Sequence, residues 1–256
     1  MKSQEYVLVY DSGIGGLSTL SCLKKTCPNL NYLYYADTKN CPYGSKSVSE
    51  LQALILDNIK SLESKFNIIA IVLACNTATT SSAEFLRQKL AVPIIGTEPN
   101  VKEPERQGYG HICVLATPLT IKQNKLLNLE NTINANIRNI GMKNLAQLIE
   151  EYELSQDKHI LRQILQRIKK TMIKIPKSTA IVLGCTHYIF VKKHIENLGY
   201  TCFDGNTGVA KRLKTLMQDN LKTTKGIIKI VSAQPNFSLK YKKVFKRHHL
   251  KSRKNI

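Results

Sequence analysis

The predicted fold follows from two segments of similar pattern: IIAIVLACNT at residues 68–77 and TAIVLGCTH at residues 179–187. Each contains an apolar run rich in β-branched residues, then a small residue, a cysteine and hydrogen-bonding side chains. Such a run predicts a buried strand of a parallel sheet. The repeat predicts two similar α/β halves, which present Cys75 and Cys185 at the carboxyl ends of central strands. Open α/β sheets bind their ligands at that end.

The rest of the chain alternates strand and helix patterns. Helical periodicity is clearest over 48–62 and 156–173, and Ser47 with Glu50 predicts a capping box before the first of these helices. Short apolar runs predict strands at 6–10, 32–35, 68–73, 94–95, 112–115, 179–183, 200–203 and 227–231. This alternation is typical of βαβ units, so we expect an α/β fold with mainly parallel sheets.

Composition favours a globular enzyme or binding protein outside the membrane. The chain has 256 residues, of which 43% are hydrophobic and 22% charged, as is common for globular proteins. Its longest aliphatic run, 68–74, is too short to cross a bilayer. The first residues lack an apolar segment after a basic start, so no signal peptide is expected. We therefore expect a cytoplasmic protein with no membrane partner.

The seven cysteines do not form a pattern typical of disulfides or zinc. Their number is odd and no C-x-x-C pair occurs, which argues against a disulfide framework and against a metal site. Most of them are expected to be small buried apolar residues. Cys75 and Cys185 differ from the other cysteines because polar residues follow them. The pKa of a thiol at a strand end can be lowered by a neighbouring helix N-terminus.

The formal net charge of +20 raises the possibility of an anionic partner. Residues 238–256 contain no acid and eight basic residues, which are Lys240, Lys242, Lys243, Lys246, Arg247, Lys251, Arg253 and Lys254. Such a cluster could bind nucleic acid or an anionic surface. No nucleic-acid motif accompanies it, so we favour a plain basic surface and do not expect a nucleic-acid partner.

Further polar motifs stand beside the predicted strands. DSGIGG at 11–16 follows the first strand but fits neither the dinucleotide pattern G-x-G-x-x-G nor a P-loop. It is equally a structural turn or an anion-binding turn, and Asp11 could orient an acid–base group. His187 is either a core histidine or an acid–base partner of Cys185. No lysine has a setting typical of pyridoxal phosphate, so no cofactor is expected.

Four blocks together resemble the glutamate racemase family: DSGIGG at 11–16, PYG at 42–44, ACNTAT at 74–79 and GCTHY at 184–188. They occur in the same order and at similar spacing, and the likeness extends over 6–245. The resemblance implies two flavodoxin-like α/β domains with the active site in the cleft between them. The first domain would hold 1–97 plus 207–256 and the second 98–206. A homodimer is also implied.

The resemblance further implies a two-thiol mechanism without a cofactor, which would supply D-glutamate for peptidoglycan. Cys75 would remove the α-proton of D-glutamate and Cys185 that of L-glutamate, while the opposite thiol returns a proton. The assisting residues would be Asp11 for Cys75, and His187 with Glu150 for Cys185. The expected substrate-binding residues are Ser12, Asn76, Thr77 and Thr186 for the ammonium and α-carboxylate, and Tyr43 and Gly44 for the side-chain carboxylate.

Two positions depart from the family pattern, and three alternatives stay open. Ile189 stands where a proline is common, and 142–150 lacks the expected Cys-Pro before Glu150. The first alternative is an aspartate racemase, against which Tyr43-Gly44 argues. The second is an inactive descendant that binds an anion, a protein or nucleic acid. The third is a redox site that forms a Cys75–Cys185 bridge.

Overall fold

Every strand pair in the described part of the chain is parallel, and the strands form two separate sheets. The computed structural model describes residues 4–218 and 225–251. The chain divides into unit 1, which is Met1–Thr97 with Asn206–Ile256, and unit 2, which is Glu98–Gly205. Each unit has its own sheet and its own helices.

The sheet of unit 1 has five strands in the order β4-β3-β1-β2-β9. Their bounds are β1 Glu5–Asp11, β2 Tyr32–Ala36, β3 Asn67–Leu73, β4 Ile94–Gly96 and β9 Ile228–Ser232. The three central strands are almost entirely buried. Burial on both faces requires apolar residues at successive positions, which explains their continuous apolar runs.

The helices of unit 1 are α1 Leu17–Thr26, α2 Val48–Glu63, α3 Asn76–Lys89, α10 Asn206–Leu216 and α11 Pro235–Lys251. The sequence predicted α2 and its start correctly. Ser47 Oγ accepts a hydrogen bond from the Glu50 amide at 3.2 Å, which satisfies one free N–H of the first turn. The helix buries one stripe of residues, which are Leu51, Ile55, Ile59 and Leu62.

The sheet of unit 2 has four strands in the order β6-β5-β7-β8. They are β5 His111–Ala116, β6 Asn136–Gly141, β7 Ala180–Gly184 and β8 Cys202–Phe203. The helices are α4 Lys102–Arg106, α5 Pro118–Ile121, α6 Asn124–Glu130, α7 Leu145–Ser155, α8 Lys158–Met172 and α9 Lys192–Glu196. Alternate residues of β5 and β7 enter different apolar clusters: Cys113 and Ile181 join one, and Val114 and Val182 the other.

The two units share one strand order, because β2-β1-β3-β4 in unit 1 corresponds to β6-β5-β7-β8 in unit 2. In both, the chain places its second strand on one side of the first and its third strand on the other. This is the flavodoxin-like order, whose ligand site lies at the carboxyl ends of the first and third strands. The predicted α/β fold with parallel sheets and two flavodoxin-like halves is confirmed.

Three elements of unit 2 differ from the sequence prediction. Strand β6 was not predicted, because its sequence NIRNIG is polar and half-exposed, as an edge strand can be. The predicted strand 200–203 is shorter and contains only Cys202–Phe203. The predicted helix 156–173 begins at Lys158, since Gln156 is left-handed and Asp157 caps the helix by accepting from the His159 amide at 2.7 Å.

Within the described residues, none of the helices combines the length and the hydropathy that a membrane span requires. The basic cluster belongs in part to α11, which buries Tyr241 and Val244. Arg253 and Lys254 lie outside the described residues.

Candidate active site

Cys75 lies at the carboxyl end of β3, where it is the N-cap residue of α3. Its backbone is extended, and the residue is 7% exposed. The Ala74 amide donates to the Tyr10 carbonyl at 2.9 Å, which ties this strand end to the end of β1. Ser12 Oγ lies 3.9 Å from Cys75 Sγ, within hydrogen-bond range for sulfur. The structure therefore brings Cys75 together with the segment that follows β1.

Asp11 is the last residue of β1 and is fully buried. Its Oδ1 accepts a hydrogen bond from the Gly13 amide at 2.9 Å, which fixes the turn at 11–16. A Cβ atom at Gly16 would lie 2.8 Å from Asp11 Cβ and 3.0 Å from Ala74 Cβ. Glycine is needed there because the turn packs tightly against the residue before Cys75.

Asn76 and Thr77 form the first turn of α3 and are both buried. The Asn76 Oδ1 atom is buried without a hydrogen-bond partner among the described residues. A buried acceptor that lacks a donor carries a free-energy cost, which a ligand with an N–H or O–H group would remove. Asn76 is therefore suited to accept from a bound ammonium group.

Tyr43 begins a short 3-10 turn, Tyr43–Ser45, which also contains Gly44. The Tyr43 side chain is buried, and its hydroxyl donates to Asp37 Oδ2 at 2.6 Å. The Tyr10 hydroxyl lies 2.7 Å from the Tyr43 hydroxyl. The Tyr43 hydroxyl is therefore engaged inside unit 1, and its contribution here is to anchor the turn.

Asp37 is a fully buried carboxylate that the sequence interpretation missed. It accepts hydrogen bonds from Tyr43, from Asn40 Nδ2 at 2.9 Å and from Asn58 Nδ2 at 3.1 Å. Burial, together with the negative charge of Asp37, raises the pKa of Tyr10 and Tyr43 well above 10.0. Both phenols therefore stay protonated. The position of Asp37, two residues after the predicted strand 32–35, was the available signal.

Cys185 follows β7 directly and is 6% exposed. Its Sγ lies 4.0 Å from His187 Nδ1. Thr186, which is also buried, begins a 3-10 turn, Thr186–Val191. The helical segment after Cys185 is therefore this 3-10 turn, and the first α-helix after it is α9, which starts at Lys192. His187 lies within this turn, two residues after Cys185.

Glu150 lies on α7 and forms a close pair with His187, with 2.6 Å between Glu150 Oε2 and His187 Nε2. The two side chains are 12% and 4% exposed. Burial by itself lowers the pKa of His187, but its hydrogen bonds to Cys185 and Glu150 and their negative charges outweigh this effect. The pKa of His187 is therefore raised well above 6.5. Unit 2 thus brings Cys185, His187 and Glu150 into one chain of contacts.

The cysteines occupy equivalent places in the two units. Cys75 follows the third strand of unit 1 by two residues, and Cys185 follows the third strand of unit 2 by one. Each lies beside the end of its unit's first strand, β1 or β5, because those strands pair with β3 and β7. Both thiols therefore lie where flavodoxin-like sheets bind ligands.

Comparison with known proteins places this arrangement in a family. The sequence model of the Asp/Glu/Hydantoin racemase family matches residues 19–213, which is more than half of the chain. A glutamate racemase of Leptospira borgpetersenii is 38% identical over 225 residues, 85% of this chain and 84% of that protein. A glutamate racemase of Clostridium acetobutylicum is 38% identical over 237 residues, 88% of this chain and 90% of that protein.

Solved structures agree with the sequence relatives. The crystal structure of Escherichia coli glutamate racemase, in complex with L-glutamate and the activator UDP-MurNAc-ala, superposes with a TM-score of 0.80. It is 27% identical, and the match covers 96% of this chain and 95% of that one. Glutamate racemase from Aquifex pyrophilus is 26% identical, with a TM-score of 0.68 and 94% of each chain covered.

Two flavodoxin-like units, each with a buried thiol at the equivalent strand end, thus form the fold of an amino-acid racemase. The chain belongs to the Asp/Glu/Hydantoin racemase family, and within it to the glutamate racemases.

Proposed function

We propose that this protein interconverts L- and D-glutamate by proton transfer at Cα, with Cys75 and Cys185 as the two acid–base groups and without a cofactor. The observation that carries the proposal is the equivalent position of the two buried thiols at the ends of β3 and β7. Glutamate as the substrate is supported by relatives that are 38% identical over most of their length.

The reaction requires a thiolate on one face of Cα and a thiol on the other. The thiolate takes the α-proton, and the thiol gives its proton to the opposite face, so the charge moves from one sulfur to the other. We assign removal from D-glutamate to Cys75 and removal from L-glutamate to Cys185. Because an α-proton is far less acidic than a thiol, fixed donors and exclusion of water must stabilise the charge that develops on the substrate.

Asp11, His187 and Glu150 are proposed to assist the thiols. His187 lies 4.0 Å from Cys185 Sγ, and its raised pKa favours the imidazolium form, which places a positive charge beside this sulfur. Glu150 holds the imidazole in place through the 2.6 Å contact with Nε2. Asp11 is proposed to serve Cys75, which follows the neighbouring strand.

The proposed substrate-binding groups are polar residues at the same strand ends. Asn76, whose Oδ1 has no hydrogen-bond partner in the described part of the chain, is suited to the ammonium group. Gly44, in the turn that the Tyr43 hydroxyl anchors, is assigned with Tyr43 to the side-chain carboxylate through backbone N–H groups. The remaining groups for the ammonium and α-carboxylate are Ser12, Thr77 and Thr186, all of which are buried.

The wider setting is proposed from the family. D-glutamate would serve peptidoglycan synthesis in the cytoplasm, and the protein would act as a homodimer. The two structural domains are proposed to be 1–97 with 207–256, and 98–206. The basic residues of α11 are assigned to the protein surface and not to a nucleic-acid site.

The test is proton exchange in D₂O with the purified full-length protein and no added cofactor. L-glutamate is followed by NMR for loss of the α-proton and by polarimetry for loss of optical activity, with L-aspartate in parallel. We expect glutamate alone to exchange and racemise. Exchange of aspartate alone would identify the protein as an aspartate racemase. Absence of any exchange in folded protein would support the alternative of an inactive descendant.

A further inference from the structure

A cavity on unit 2 is lined by cations and by no carboxylate. It has a volume of about 690 Å³ and is bounded by β6, α7, α8 and the residues just after α8. Small-molecule sites commonly have volumes of about 300–1,000 Å³. None of the proposed catalytic or substrate-binding residues lines it. The four cationic residues in its wall are Arg138, Arg167, Lys170 and Lys174.

Three of these cations stand together on one side of α8. Arg167, Lys170 and Lys174 are spaced three and four residues apart, so they project from neighbouring positions of one helical face and its continuation. No ion pair within the described residues involves any of the four cations. Like charges gathered in this way repel each other, and a bound anion would relieve the repulsion.

The two arginines are held in place by the protein backbone. Arg138 Nη1 donates to the Lys174 carbonyl at 3.2 Å, and Arg167 Nη1 donates to the Lys143 carbonyl. A guanidinium group has five N–H donors, so each arginine uses only one of them in these contacts. Each contact restrains an exposed guanidinium group before a ligand arrives, which lowers the entropy cost of binding.

The chemistry of the wall selects the class of ligand. Guanidinium groups bind phosphate oxygens in pairs, and lysines add point charges. Gln163, Gln166 and Thr171 contribute neutral donors to the same wall. These four cations line one cavity of limited volume, which favours a small molecule over a nucleic-acid backbone.

We propose that this cavity binds a small molecule with two or more linked phosphate groups. The proposal does not depend on the racemase reaction. This cavity differs from the generally basic surface of a protein with net charge +20. Its cations are concentrated around a concavity, and backbone carbonyls anchor two of them.

The first test is a calorimetric titration of the full-length protein with inorganic tripolyphosphate. The cavity variant is Lys170→Gln with Lys174→Gln, and both side chains are exposed, so the core is unchanged. The matched control is Arg162→Gln with Lys169→Gln, which removes the same charge from exposed positions of the same helix outside the cavity. We expect a dissociation constant at least about tenfold higher for the cavity variant and less than about twofold higher for the control. Equal weakening in both, or no binding to the unchanged protein at millimolar ligand, would overturn the proposal.

A second pair of measurements separates a built site from a positive field. Arg138→Lys with Arg167→Lys keeps the charge but removes the paired guanidinium contacts, so we expect weaker tripolyphosphate binding by several fold. Unchanged affinity would contradict a built site. A single-stranded oligonucleotide is titrated in parallel into the Lys170→Gln/Lys174→Gln variant and into its matched control. If the cavity lysines matter for the oligonucleotide and not for tripolyphosphate, the ligand is nucleic acid and the small-molecule proposal fails.

Discussion

His187 lies between two acid–base groups of unit 2, with its Nε2 2.6 Å from Glu150 Oε2 and its Nδ1 4.0 Å from Cys185 Sγ. Glu150 stands 37 residues before His187 in the chain, so the contact depends on how α7 packs against the turn after β7. One imidazole therefore links a thiol to a carboxylate, and its protonation couples stability to pH.

Glu150→Gln should destabilise the protein mainly at lower pH. The folded-state pKa of His187 is raised above 6.5, so its stabilisation is fully present below about pH 6.5 and is lost as pH rises through the folded-state pKa. Removing the carboxylate lowers that pKa. We expect a loss of about 1–3 kcal/mol in the free energy of unfolding at pH 6 and a smaller loss at pH 9, measured by urea denaturation.

The matched control for this variant is Glu151→Gln, which removes the same charge from an exposed position of α7. It should change stability by less than about 0.5 kcal/mol at either pH. An NMR titration of His187 should show a lower pKa in Glu150→Gln and no change in the control. Equal losses for Glu150→Gln at pH 6 and pH 9 would contradict the charge coupling.

Cys75→Ser and Cys185→Ser should each abolish most of the racemisation of glutamate. A hydroxyl is a far weaker acid than a thiol, so the lost acid–base group should lower the rate by about 10²–10⁴-fold. Polarimetry measures the rate, and circular dichroism verifies the fold. Cys22→Ser, which changes a half-buried cysteine of α1, should keep normal activity. Full activity in either active-site variant would refute the two-thiol mechanism.

Tyr43→Phe should reduce stability because it leaves a buried carboxylate with fewer donors. The change removes the 2.6 Å hydrogen bond to Asp37 and the contact with the Tyr10 hydroxyl. We expect a loss of about 1–3 kcal/mol in the free energy of unfolding. Tyr6→Phe is the control, since its hydroxyl donates to the exposed Gln4 side chain at 3.0 Å, and it should cost less than about 0.5 kcal/mol. Similar losses in both variants would show that the hydrogen bonds to Asp37 do not add to the stability of the protein.

Gly184→Ala should destabilise unit 2, whereas Gly208→Ala should stabilise unit 1. A Cβ atom at Gly184 would lie 2.9 Å from Ala116 Cβ and 3.3 Å from the Leu115 carbonyl, so β5 or β7 must shift. The expected cost is about 1–3 kcal/mol. Gly208 lies in α10 with open space around its Cα, so alanine should add about 0.4–1 kcal/mol. Thermal unfolding measures both, and a neutral Gly184→Ala variant would contradict the tight packing before Cys185.

Local patterns in the sequence determined much of the fold. The apolar runs of β1, β3 and β7, the capped start of α2 and the cysteine after each third strand are all visible in consecutive residues. These features are local because burial on both faces of a sheet and the free N–H groups of a helix start constrain neighbouring positions. The resemblance of the four blocks added the family.

Features that join distant residues depend on how the elements pack in three dimensions. The polar strand β6 forms because β5 offers an edge for pairing, and its own sequence does not require a strand. Asp37 becomes the acceptor of a network only when Tyr43 and Asn58 are packed around it. The Glu150–His187 contact and the cationic cavity likewise depend on helix packing. Sequence determined the buried apolar strands and the capped start of α2, because those constraints act between near neighbours, whereas the fold alone brought these distant side chains within reach of each other.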